Sequence, residues 1–353
     1  MITGPIDCDV HPGVASMEAI LPYLDPMWRD MAERRGLDEL ISISYPSNSP
    51  LTVRADWRGK NNRAACTPAE LAAQCLEPFG SSIAILNCLY SIQLFFSEDL
   101  ARGFARAVND WIRAEWLEKD ARLRASILLP TQNVDYAVEE IERLAPDRRF
   151  VSVMFLISEE TPPGRRAHWP IYAAAARHGL PVSLHAGSSY RNPPSPVGWT
   201  SFYTEDYVNQ ATAFQTGLTS LITEGVFAKL PELKVVMLES GFTWLPGYLW
   251  RLTKFWRGTR QELPWVTEPP AHYVREHVRF SLQPFDGPAE PADVERLFTL
   301  IDSDELLLFS TDYPHWQFEG TAALPAGLSP ALVRRITLDN PLATYARLRE
   351  TVA

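Results

Sequence analysis

The sequence has 353 residues, 46% hydrophobic and 22% charged, enough to bury a full core and too apolar for a disordered chain. Lys and Arg number 33 against 43 Asp and Glu, a formal charge of −10, and no basic cluster interleaves with aromatics, so nucleic acid is not an expected partner. The start MITGPIDCDVHP lacks a secretory signal's basic start and apolar run, and no segment reaches about 18 uncharged apolar residues, so a soluble, cytoplasmic protein with no membrane partner is expected.

Read in chain order, the first apolar run is Pro5 to Val10. A long gap follows, in which Ser42 to Thr67 is polar and irregular. A loop of that kind is expected to be an active-site lid inserted after the first strand, a solvated insertion being the equal alternative. The next runs are Ser82 to Cys88, Arg124 to Leu129, Phe150 to Leu156 and Pro181 to His185, with helical periodicity over Glu98 to Leu117, Tyr136 to Leu144 and Ile171 to His178. A proline-rich stretch, Arg191 to Trp199, precedes helical periodicity over Ala211 to Leu230. The last runs are Leu233 to Leu238, Val278 to Gln283 and Leu306 to Ser310, with helical spacing over Pro291 to Leu300 and Leu328 to Thr337. Eight buried strands with interleaved helices predict an α/β fold, a (β/α)8 TIM barrel occupying residues 1–353 as one domain with 42–67 as its lid or insertion loop. A doubly wound sheet would show a glycine-rich turn after its first strand, and Val10-His11-Pro12-Gly13-Val14 has one glycine. Cys8, Cys66, Cys75 and Cys88 have no CxxC spacing and read as reduced thiols.

The carboxyl ends of barrel strands share one pocket, so polar residues that close the apolar runs are the candidates for chemistry. They are Asp9-Val10-His11, His185, Glu239 and the stretch from Ser310 to His315. Strand alternation puts Asp9 and His11 on one face, and barrel closure brings the first and eighth strands together with the fifth across from them. Asp9, His11, His185 and Asp312 are therefore candidate ligands of one divalent ion, most readily zinc, with manganese or iron also suited. Taken singly, each residue is more commonly a hydrogen-bonded or capping residue. Their joint placement carries the reading: of seven histidines, two end strands and His315 lies just beyond the eighth. His168, His178, His272 and His277 are assigned no role.

On Ile6-Asp7-Cys8-Asp9-Val10-His11, Gly179 to His185, Pro231 to Val236, Gly241 to Pro246 and Leu308 to His315, the sequence resembles the amidohydrolase superfamily, in the branch named after aminocarboxymuconate semialdehyde decarboxylase. The likeness runs from Pro5 to about Tyr345. It implies a somewhat distorted barrel with one catalytic metal, commonly zinc, held by the first-strand pair, the fifth-strand His and the eighth-strand Asp. Three departures stand out. Asp9 replaces the first His of the His-x-His found in many members, as Glu does in related ortho-hydroxybenzoate decarboxylases. Glu239 replaces a His at the end of the sixth strand. The fourth strand has no Lys to bridge a second metal.

Two activities and a non-catalytic reading follow. The first expectation is a metal-dependent hydrolase using an activated water, with Asp312 moving its proton and Glu239 or His315 assisting. The alternative is a non-oxidative decarboxylase of an aromatic or unsaturated carboxylic acid; Asp9 favours it, while Glu239 in place of His argues against it. The third is a ligand-binding barrel without turnover, in which Glu239 pairs with a buried Arg. Arg54 and Trp57 of the lid and Trp316 beyond the eighth strand are candidate substrate-binding residues, offering a guanidinium fork and aromatic faces to a small carboxylate-bearing or aromatic molecule. Self-association as a dimer is the expected partnership besides that substrate.

Overall fold

A computed structural model describes residues 2–37, 43–46, 49, 52–59 and 62–350. Of the segment 42–67, residues 42, 47–48, 50–51 and 60–61 lie outside the described residues. Eight strands, β1 (Ile6–Val10), β2 (Ile83–Leu86), β3 (Leu123–Leu128), β4 (Phe150–Ser158), β5 (Val182–Ser188), β6 (Val235–Leu238), β7 (Val278–Ser281) and β8 (Leu307–Leu308), form one parallel sheet in chain order. Each expected apolar run overlaps one of them, although β3 begins a residue before its run and β4 and β5 extend past the ends of theirs. The runs are continuous because helices cover the sheet outside and side chains fill it within, which leaves no polar face.

Backbone hydrogen bonds join the last strand to the first: Cys8 N–H donates to Phe309 O (2.9 Å), Asp312 N–H to Asp9 O (3.1 Å) and His11 N–H to Tyr313 O (2.7 Å). This is the expected barrel, and its distortion has two local causes. The β1–β2 register slips between Asp7 and Val10, a bulge of the kind that re-aims side chains. The ladder of β8 stops after two residues because Phe309 N–H turns to Ile336 O (2.9 Å). Residues 309–313 continue alongside β1 through the hydrogen bonds to Cys8, Asp9 and His11 and the Val10–Tyr313 bridge, without forming a regular ladder.

The amino-terminal end of the barrel is closed by the end of the chain. Tyr345 and Leu348 pack with Ile6, Cys8, Val236 and Leu308, and the Arg347 guanidinium donates to Phe150 O (2.7 Å) and His178 O (2.9 Å), beside the starts of β4 and β5. Chemistry is thereby left to the opposite, carboxyl-terminal face.

All expected helical segments contain helix, the longest being Glu98–Ile112 and Tyr203–Thr223. Helices Pro26–Arg35, Leu245–Thr259 and Pro270–His277 were not among the expected elements. Leu245–Thr259 carries an apolar stripe, Leu245, Tyr248, Leu249, Leu252 and Trp256, that packs against the core, although only Leu245 and Pro246 are fully buried. The four cysteines are free. Among the described residues no helix is long and apolar enough to cross a membrane.

Candidate metal centre and its cavity

The four expected ligands meet at the carboxyl-terminal mouth, all buried. His11 Nε2 lies 2.9 Å from Asp312 Oδ1 and 3.5 Å from Asp9 Oδ1, and His185 Nε2 lies 3.8 Å from Asp9 Oδ2. Ligand-capable atoms of Asp9, His11 and His185 fall within 4.8 Å of one another, and so do those of His11, Asp312 and His315. Both strand-end imidazoles are fixed through Nδ1, His11 on Asn87 O (2.8 Å) and His185 on Ala186 O (2.7 Å). Those carbonyls accept an N–H, a contact that sets each ring to present Nε2 to the cluster.

The donor set fits a cation. Asp9 Oδ2, His185 Nε2 and Asp312 Oδ2 are buried and have no hydrogen-bond partner. Unpaired polar atoms at such depth each cost about 1–3 kcal/mol unless something fills the site. Two carboxylates and two imidazoles are the chemistry a borderline divalent metal takes up.

Burial pushes the Asp9 carboxyl up to about 6 despite the charges of His11 and His185. Burial also pushes His185 down to about 4. For Asp312 burial opposes ionisation, but the His315 charge and hydrogen bonds from His11 and His315 outweigh it and hold the carboxyl below the usual carboxylate range. His315 has the converse balance: burial disfavours its cation, yet Asp312 and Glu239 raise it well above an ordinary histidine.

Glu239 and His315 sit at the edge of the cluster. His315 Nδ1 lies 2.8 Å from Asp312 Oδ1 and 3.4 Å from Glu239 Oε1, and its ring stacks on His11 with centroids 4.7 Å apart. Glu239 Oε2 is 3.6 Å from His185 Nε2, and Gln317 Nε2 donates to Glu239 Oε1 at 3.3 Å. These partners replace the buried Arg expected for Glu239 in the ligand-binding reading. Glu239 and Asp312 both adopt left-handed backbone, with φ of 58° and 55°. That conformation strains a non-glycine residue, and such strain gathers at working sites.

Above the cluster lies a cavity of about 550 Å³ lined by Tyr203, Asp206, Tyr207, Glu239, Trp244 and His315 among others. Ile43, Ser44 and Thr52 of the 42–67 segment reach its wall. That segment is tied to the residues after β8: Val53 bridges His315, Arg54 N–H donates to Pro314 O (2.8 Å) and Trp316 N–H to Thr52 O (3.0 Å).

Arg54 and Trp57 do not line this cavity. Arg54 is bidentate to Asp56 (2.7 and 2.8 Å), donates to Phe318 O and Gly320 O, and lies 3.4 Å over the Trp57 ring. Trp57 is buried against Tyr313 and Phe318. Both side chains therefore serve the packing of this segment away from the cavity wall, with four of the five Arg54 N–H donors taken within the protein. Trp316 is exposed outside the described lining, its ring tilted against Tyr207, which does line the cavity.

Three residues escaped sequence reasoning. Asn87 donates to Asp9 Oδ1 (2.8 Å) while its carbonyl holds His11, and its only signal was a polar residue inside an apolar run. Gln317 and Asp206 had none.

Comparison with known proteins adds an independent line. Residues 6–347 match the amidohydrolase family. Over 247 residues the chain is 26% identical to gamma-resorcylate decarboxylase of Rhodococcus jostii (strain RHA1), covering 64% of this chain and 70% of that protein. It superposes on an amidohydrolase from Mycobacterium avium subsp. paratuberculosis K-10 with a TM-score of 0.72 at 20% identity, over 98% of this chain and 100% of that one. It also superposes on a dihydroxybenzoic acid decarboxylase from Polaromonas sp. JS666, crystallised with manganese and the inhibitor 2-nitroresorcinol, with a TM-score of 0.66 at 17% identity over 98% and 97% of the two chains. With a match that runs from β1 to the residues plugging the barrel's far end, the chain belongs to the amidohydrolase family.

Proposed function

We propose that the protein is a divalent-metal-dependent decarboxylase of a small aromatic carboxylic acid bearing a hydroxyl next to its carboxyl. The observation that carries this reading is the convergence of Asp9, His11, His185 and Asp312, with three unpaired atoms, beneath a cavity walled by Tyr203, Tyr207 and Trp244. The likeness to gamma-resorcylate decarboxylase turns the order of the two expected activities, decarboxylation now standing ahead of hydrolysis.

Asp9, His11, His185 and Asp312 would hold the ion; zinc, the expectation from the residues, and manganese, the ion in the Polaromonas relative, both suit them. When bound, the ion supplies positive charge that draws in the carboxylate and its neighbouring hydroxyl and steadies negative charge on the reacting molecule.

The protein's own task is to deliver a proton to the ring carbon that loses carbon dioxide. Burial, and next the Asp312 charge, raise Glu239 above the usual carboxylate range, so this cavity-lining acid keeps its proton more readily than an ordinary carboxyl and is the group placed to give it to the ring. Its proton passes to the ring carbon; the bond to the carboxylate then breaks, its electron pair restores the ring and carbon dioxide leaves. His315, which lines the cavity and touches both Glu239 and Asp312, returns a proton to Glu239. Asp312 keeps His315 charged and oriented. The described parts of 42–67 act as a strap over the pocket within one barrel domain, since they reach its wall and are pinned to residues 314–316.

The test is incubation of metal-loaded protein with 2-hydroxybenzoate and 2,6-dihydroxybenzoate, following carbon dioxide and the phenol product. Equimolar release of both is expected. Acid release from amides or lactones, with the benzoates untouched, would restore the hydrolase reading.

A further inference from the structure

Asp206 lines the cavity, yet nothing in the proposed chemistry uses it. Only 2% of the residue is exposed, and its Oδ1 has no hydrogen-bond partner. It sits in the first turn of the helix Tyr203–Thr223, on the face that also presents Tyr203, Tyr207 and Gln210 to the cavity. Burial raises its carboxyl to about 6, while the Tyr45 N–H and the Gln210 side chain favour the anion, so the group is charged at pH 8. Among the described lining residues there is no Lys or Arg, whereas Glu239 and Asp286 are further acids. With Arg54 spent on Asp56, the basic group of the described lining is His315, which is already paired with Asp312 and Glu239 at the metal cluster.

We infer that Asp206 determines substrate specificity: its free oxygen accepts a hydrogen bond from a hydroxyl or amino substituent on the aromatic ring, and its charge excludes a second carboxylate. A buried carboxylate oxygen without a donor is costly, and a ligand N–H or O–H relieves that cost. A second carboxylate beside Asp206 would face that anion with no Lys or Arg among the described lining residues and with His315 already paired to Asp312 and Glu239, and it would lose its water as it entered. The inference rests on the decarboxylase reading for its substrate class, an aromatic acid with one carboxyl and at least one further donor.

The test is calorimetric binding at pH 8 to the metal-loaded full chain. The probes are 2-hydroxybenzoate and its derivatives with an amino group or a second carboxylate at ring position 4 or 5. One amino derivative is expected to bind about ten-fold more tightly than 2-hydroxybenzoate, and both dicarboxylates about ten-fold or more weakly, the weight of one hydrogen bond to a charged acceptor. Asp206→Asn keeps the shape and removes the charge, so it should bring the dicarboxylates back to within about three-fold of the parent, a gain that misfolding cannot mimic. Asp206→Ser, which shortens the side chain, should abolish the amino preference. The inference is overturned if the native protein binds the dicarboxylates as tightly as the parent, or if folded Asp206→Asn keeps the native ranking. Calorimetry reads binding without turnover. The expected ranking with no carbon dioxide release would sink the decarboxylase reading alone, and carbon dioxide release without the ranking would sink this inference alone.

Discussion

His11 Nε2 and Asp312 Oδ1 lie 2.9 Å apart although 301 positions separate them in the chain. Barrel closure makes the contact: Asp312 N–H donates to the Asp9 carbonyl, so the carboxylate after β8 lands beside the imidazole after β1. His185 arrives from β5 with a buried, unpaired Nε2. Elemental analysis should find about one divalent ion per chain. His185→Ala should lower metal affinity by more than the 10–100-fold typical of losing a residue that only supports a ligand, and carbon dioxide release should fall in parallel. Full occupancy in that variant would remove His185 from the metal set.

Asn87 supports two ligands at once, Asp9 through its amide and His11 through its carbonyl. Ser126 Oγ–H donates to the Asn87 amide oxygen at 2.6 Å and so orients the amide. Asn87→Ala keeps the carbonyl but frees the Asp9 carboxylate, and about 10–100-fold weaker metal binding is expected with the fold intact. Metal titration against circular dichroism checks both halves.

The strands could be read from the sequence because a strand buried on both sides is an unbroken apolar run, and each run closes on the residue that faces the mouth. Asp9, His11, His185 and Asp312 were legible for that reason. The end of β8 was not, since the expected strand to Ser310 stops at Leu308 only because Phe309 N–H finds the Ile336 carbonyl. Arg54 misled for a similar reason. Whether its guanidinium is free depends on Asp56 close by and on the Phe318 and Gly320 carbonyls some 260 positions on, and local spacing carries no trace of the latter. Asp206 is visible only once the helix carrying it is seen to face the cavity.

Metal binding should depend on pH with a definite sign. Burial raises Asp9 to about 6, and a ligand carboxylate must lose its proton to bind. His185, pushed down to about 4, is already neutral in this range. Against burial, which lowers it, Asp9 and Asp312 raise His11 above an ordinary histidine, so it must also give up a proton. Affinity should therefore climb with pH through the range in which Asp9 and His11 titrate, by about ten-fold per pH unit for each proton displaced. Metal titrations at pH 5, 6, 7 and 8 measure this; a flat profile would contradict the burial of an ionisable ligand.

Thr311 anchors the segment that carries Asp312. Asp7, fully buried, accepts hydrogen bonds from Thr311 N–H (3.0 Å) and Thr311 Oγ1–H (2.6 Å), with the Cys75 thiol at 3.5 Å. Thr311→Val keeps the shape and the N–H but removes the hydroxyl donor, and a loss of about 1.5–3 kcal/mol in unfolding free energy is expected, the worth of a hydrogen bond to a charged group. Urea denaturation reads it directly, and an unchanged midpoint would show that Asp7 is satisfied without the hydroxyl.

Glu159, just past the end of β4, gives a stability signal away from the metal. Burial raises its carboxyl from 4.5 to about 7, against the opposing hydrogen bond from Thr131 Oγ1 (3.0 Å) and the Arg191 charge. The folded chain therefore holds this proton more tightly than the unfolded chain does. Its stability is full below about 4.5, erodes as pH climbs towards 7 and levels off above, where both states are ionised. Glu159→Gln copies the protonated form and can still accept from Thr131. At pH 8 the variant should be more stable by roughly 1–2 kcal/mol, a figure already reduced for solvent screening of a half-buried group. The advantage should shrink towards zero as pH falls to about 4.5. Melting temperatures of both proteins at pH 8 and pH 5 decide it, because an advantage of equal size at the two pH values would come from packing and not from the proton.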